Sequence, residues 1–123
     1  NADVIEIGDD DYALWYRDMS EDPKKYEDKT VRVKVRYLKR KKVPQGHFIV
    51  GRHIMTCCAD DIQFAGLICQ WADSDNIEGD TWHILTAKVN HKFNRAYGKK
   101  GPVLTFISHE DCPTPEQPVA TFY

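Results

Sequence analysis

From Thr30 to Leu38 the chain alternates without a slip. Val31, Val33, Val35 and Tyr37 fall on one side, and Arg32, Lys34 and Arg36 fall on the other. Only an extended backbone sends successive side chains to opposite faces this cleanly, so the segment predicts a strand with one face buried and one in solvent. Such a strand needs partners. Residues 47–55 are apolar and read as a second strand, 64–71 as a third, 81–90 as a fourth that alternates again, and 102–109 as a fifth.

The stretches between these strands are polar. Residues 39–46 form a basic loop with Pro44, 56–63 a tight connection, 72–80 an acidic loop, and 91–101 a basic loop closing on Gly98-Lys99-Lys100-Gly101. Ahead of the strands, Asp9, Asp10 and Asp11 place acids where a helix dipole favours them. Tyr12, Leu14, Trp15 and Met19 then recur at helical spacing, predicting a short helix over about residues 10–20 that Pro23 stops. Residues 1–9 and 111–123 read as extended termini, the second carrying Pro113, Pro115 and Pro118.

A chain of 123 residues suits one domain. Five short strands with turn signals between them predict a mainly β fold. The nearest architecture is a small five-stranded OB-like Greek-key barrel with a short N-terminal helix, spanning residues 1–123. Other Greek-key topologies stay open, because periodicity does not give strand order. No apolar run is long enough for a membrane-spanning helix. Four cysteines at irregular spacing do not make a disulfide scaffold. The chain begins Asn1-Ala2-Asp3 without Met, which reads as a processed or excised piece.

Net charge is only −2, but it arrives in blocks. Residues 1–30 carry 10 acids and 4 bases, 31–56 carry 8 bases and no acid, and 57–82 carry 6 acids and no base. Residues 83–101 then carry 5 bases and no acid. Folded, the blocks can neutralise one another or stand as separate patches.

The densest chemistry lies in Gly51-Arg52-His53-Ile54-Met55-Thr56-Cys57-Cys58-Ala59-Asp60-Asp61. Adjacent cysteines are poorly placed to bridge each other. Three roles stay open for them: small apolar packing, redox exchange, or metal binding. For zinc, the candidate ligands are Cys57, Cys58, His53 and Asp60, with His109, Cys112 or Cys69 available to complete the set. Arg52, on an otherwise apolar strand, can reach Asp60 or Asp61 or act with Asp61 as a ligand clamp. Trp15, Trp71 and Trp82 read as core. The chain has no P-loop, no G-x-G-x-x-G, no nucleophile elbow and no H-E-x-x-H, so a non-enzymatic role is expected and no small-molecule substrate is identifiable.

Phe48-Ile49-Val50-Gly51-Arg52, followed by Met55-Thr56-Cys57-Cys58-Ala59-Asp60, resembles the signature of the bacterial YcgQ-like permease-subunit family. Tyr26-Glu27-Asp28-Lys29-Thr30-Val31 is similar to that family's lead-in to its first strand, and Gly79-Asp80-Thr81-Trp82 to its lead-in to the fourth. The resemblance implies an accessory or ligand-binding module of a membrane-associated permease system. It also implies an extracytoplasmic, membrane-attached setting, a link to zinc homeostasis, and a membrane permease subunit as partner.

Two basic clusters would be the interaction loops: Lys39, Arg40, Lys41 and Lys42, and Lys99 and Lys100. Their partner is expected to be an anionic membrane surface or the permease. The alternative is single-stranded nucleic acid, with loops 39–42 and 92–100 supplying charge and Tyr37, Phe48, Phe93 and Tyr97 stacking on bases.

Overall fold

The computed structural model describes residues 4–38, 46–55, 62–71, 79, 81–94, 98–115 and 118–121. The fold is mainly β with short helices. In chain order it runs β1 (Val4–Ile7), a 3-10 turn (Asp9–Asp11), α1 (Tyr12–Glu21), α2 (Pro23–Tyr26), β2 (Thr30–Leu38), β3 (His47–Met55), β4 (Gln63–Gln70), β5 (Thr81–Asn94), β6 (Lys99–Asp111) and β7 (Ala120–Thr121). No helix among the described residues is long and apolar enough to cross a membrane.

The strands form one mixed seven-stranded sheet. β2 pairs antiparallel with β5, β5 with β6, and β3 with β4, while β4 lies parallel to β6. β3 then pairs back with β2 through Arg36–Gly51, Tyr37–Val50 and Leu38–Ile49, so the pairings of five strands close into a circuit. Beyond Gly51 the two strands part. β1 pairs parallel with the first half of β2, and β7 parallel with the last residues of β3. Both lie in stretches expected only to be extended. Each is too short to show a period, and each takes its shape from the neighbour it pairs with.

Alternation in β2 is reproduced residue by residue: Val31, Val33, Val35 and Tyr37 are buried, and the basic residues between them are half-buried. α1 adds Tyr12, Ala13, Trp15 and Met19 to the same core. Its Tyr12 hydroxyl donates to the Ala65 carbonyl at 2.7 Å, fixing the helix to β4. The acids of the 3-10 turn precede α1 as expected. Pro23 behaves differently from the expectation. The helix ends at Asp22, whose backbone is non-helical as a residue before proline prefers, but Pro23 then opens α2.

A second difference concerns residues 91–101, expected to be a loop. β5 runs on to Asn94 and β6 starts at Lys99, with Phe93 opposite Lys100 and Asn94 opposite Lys99. Lys99 and Lys100 are therefore strand residues. Their segment is polar, but the hairpin ladder continues through it, and Gly98 (φ 69°) supplies the positive φ of the turn.

β3 and β4 approach closely where the circuit bends. A Cβ on Gly51 would overlap the Ala65 carbonyl and come within 2.9 Å of the Gly66 Cα, both backbone atoms that cannot step aside. Gly51→Ala should therefore lower stability by about 3 kcal/mol, at the upper end for an overpacked interior, read as a fall in the urea midpoint.

Candidate functional site

Where β2 ends and β3 begins, the interior is filled with flat rings. Tyr37 stacks on His83 at 4.0 Å between centroids, and His83 on His109 at 4.7 Å and 8°. Trp71 stacks on Phe106 at 4.1 Å, and both meet the His109 ring edge to face. Phe48 closes the group against Tyr37. Tyr37 and Phe48 are buried, whereas Trp71, Phe106 and His109 are half-buried and form the rim.

A register shift makes this cluster possible. Thr86 faces Ser108 but Ala87 faces Phe106, so Ile107 is an extra residue on β6. Strict alternation would turn Phe106 and His109, three residues apart, to opposite faces. The bulge returns them to the same face.

Burial sets the protonation of these groups. The Tyr37 hydroxyl is hydrogen-bonded to His109 Nδ1 at 2.8 Å, and burial holds its phenol far above the ordinary range. Burial likewise pushes the Cys69 thiol up, leaving it neutral and inert. His83 is lowered, first by burial and then by the neighbouring His109, against a weaker pull from Asp111. Its Nε2 is hydrogen-bonded to Thr81 Oγ1 at 2.8 Å. Asp111 Oδ1 lies 3.1 Å from Nδ1, yet Nδ1 has no hydrogen-bond partner, so the approach is oblique and matters only when the imidazole is charged.

Arg52 occupies the place where β2 and β3 part. Its side chain is 1% exposed, and Nη1 donates to Asp9 Oδ1 at 2.8 Å. Nε donates to the Pro118 carbonyl at 3.4 Å, and the guanidinium sits 5.3 Å from the Trp82 ring. Among the described residues the carboxylate it reaches is Asp9, which no local spacing pointed to, while Asp60 and Asp61 lie outside them. The enclosed guanidinium thus clasps the turn before α1 to β3.

The remaining sequence candidates scatter. Cys57, Cys58, Asp60, Asp61 and Lys39, Arg40, Lys41 and Lys42 lie outside the described residues. His53 is half-buried on β3, its ring edge-on to Phe64 at 5.1 Å. Cys69 is core, and His109 belongs to the ring cluster. Among the described residues no group of three or more His, Cys, Asp or Glu side chains is placed to hold a metal ion. Trp15 and Trp82 are buried as expected, but Trp71 lies on the rim. The ring cluster itself has no signal in local spacing. Only the β5–β6 register, with Leu85 opposite His109 and Asp111 opposite His83, reveals it.

The family model described as the DUF1980 C-terminal domain matches residues 1–120, and the chain belongs to that family. No curated protein matches it.

Two outcomes follow from this geometry. Asp9→Ala should cost about 2 kcal/mol, as for a charge-assisted hydrogen bond to a buried partner. Lys34→Ala, whose ammonium lies 3.7 Å from the same carboxylate but is part-exposed, should cost below about 1 kcal/mol in the same urea titration. For His83, the unfolded chain takes up a proton at a higher pH than the folded one. Stability is therefore level above the ordinary value of 6.5 and falls as pH drops from there through the lowered folded value. The urea midpoint should be lower at about pH 5.5 than at about pH 7.5, and His83→Gln should shrink that difference.

Proposed function

We propose that this domain is a non-enzymatic accessory or ligand-binding module of a membrane-associated permease system, extracytoplasmic and attached to the membrane in the full-length protein. Its architecture is read as an OB-like Greek-key barrel of β2 to β6. The supports for that architecture are the closed circuit of pairings and the parallel contact of β4 with β6.

The observation that carries the functional reading is the half-buried rim of Trp71, Phe106 and His109 on a rigid sheet, backed by Tyr37 and His83. Rings with a polar edge, fixed in place, are suited to receiving a partner's apolar group. The titratable groups beneath the rim favour binding over catalysis, because burial keeps the Tyr37 hydroxyl and the Cys69 thiol protonated and poor as nucleophiles. The link to zinc rests on Cys57, Cys58, His53 and Asp60 in the sequence, of which only His53 is described, so no step is derived through the metal.

The nucleic-acid reading has one observation in its favour, the 60% exposure of Phe93 beside basic residues. Against it, Trp71 and Phe106 already spend a face on each other.

Co-expression with the permease subunit of the same system tests the reading. The two should co-purify from detergent-solubilised membranes. Trp71→Ala with His109→Ala should weaken the association about tenfold, the effect of losing anchor residues. Absence of co-purification, together with retention of single-stranded oligonucleotide at physiological salt, would replace this reading with the nucleic-acid one.

A further inference from the structure

Between α1 and the turn end of the β5–β6 hairpin lies a groove of about 300 Å³. Its floor is aliphatic: Met19, Leu67 and Pro102, with the backbone of Gly66 and Gly101 beside them. Its polar lining is of one sign. Lys99, Lys100 and His91 face it and no carboxylate does. Among the described residues neither lysine has a carboxylate at ion-pair distance, unlike Lys25, Lys34 and Lys88. The buried Nδ1 of His91 has no hydrogen-bond partner. Two hydroxyls, of Tyr16 and Ser20, complete the wall.

The hairpin adds a second element. Phe93 pairs with Lys100 and His91 with Pro102, so all four project from the same face of the hairpin. Phe93 is 60% exposed, the largest exposure of any big apolar side chain described. An exposed aromatic ring flanked by two exposed lysines puts an apolar and a cationic group on one stretch of surface. It fits a surface with an apolar interior and a negative skin.

We propose that this groove receives the phosphate of an anionic phospholipid headgroup, with Phe93 entering the interface beside it. Lys99 and Lys100 supply the charge and His91 a further polar contact, while the half-buried Pro102 lies against the glycerol carbons above the buried Met19 and Leu67. Single-stranded nucleic acid offers phosphate too, but it needs ring faces for its bases, and the floor of this groove is aliphatic. The inference rests on the membrane-associated reading above and extends it to a lipid class and to named residues.

Sedimentation of the domain with vesicles tests it. Binding is expected to phosphatidylcholine vesicles containing phosphatidylglycerol and not to pure phosphatidylcholine. Lys99→Ala and Lys100→Ala should each weaken it about fivefold, the contribution of one basic residue at an anionic surface. Phe93→Ser should weaken it about tenfold. All three positions are exposed, so circular dichroism should show unchanged folding. Lys24→Ala with Lys29→Ala, exposed but outside the groove's lining, should leave binding intact; an equal loss there would show unspecific charge attraction and overturn the site. Displacement from vesicles by inorganic phosphate at millimolar level would reassign the groove to a soluble phosphate. Oligonucleotide binding lost with the same lysines, without vesicle binding, would reassign it to nucleic acid. Vesicle binding without permease co-purification leaves this inference standing and removes the partner; the reverse result removes only the lipid site.

Discussion

The buried guanidinium of Arg52 is the joint on which this fold turns. A cation with 1% exposure costs several kcal/mol unless its donors are met. Asp9, the Pro118 carbonyl and the Trp82 ring meet them from three separate stretches of chain. Asp9 comes from the turn before α1, Pro118 from the segment before β7, and Trp82 from β5. One side chain thereby holds the first and last elements against the gap where β2 and β3 separate. The helix can then deliver Tyr12, Trp15 and Met19 to the core only in the position that the Asp9 contact allows.

A different constraint shapes the ring cluster. Its stacked imidazoles are tolerated because burial and mutual repulsion keep His83 neutral, and because each ring has a polar neighbour in Thr81 or Tyr37. Stacked and hydrogen-bonded, the rings form one continuous surface. Protonation would place a positive charge against a second imidazole, which is why acid should loosen this end of the sheet first.

How far the sequence could be read depended on whether the controlling contact was local. β2 was legible because its valines and basic residues alternate over its whole length. β3 and β4 were legible to within a residue because apolar runs bounded by turn residues carry their own limits. β1 and β7 were not, since short strands acquire their shape from a neighbour. The hairpin through Lys99 and Lys100 was hidden by polarity, which marks solvent exposure and says nothing of backbone pairing. Arg52 stood out as a charge on an apolar strand, but Asp9, the carboxylate described beside it, lies 43 residues away in the chain. The bulge at Ile107 defeats periodicity altogether: counted by twos, His109 belongs on the wrong face.

The placement of β1 and β7 gives the domain a direction. Val4 lies opposite Thr30, the first residue of β2, and Thr121 lies opposite Met55, the last residue of β3. Tyr37 and Phe48 sit at the other ends of those same two strands. The described chain thus enters and leaves at one end of the molecule while the aromatic rim opens at the other. A partner seated on the rim would therefore leave β1 and β7 untouched, at the opposite ends of β2 and β3.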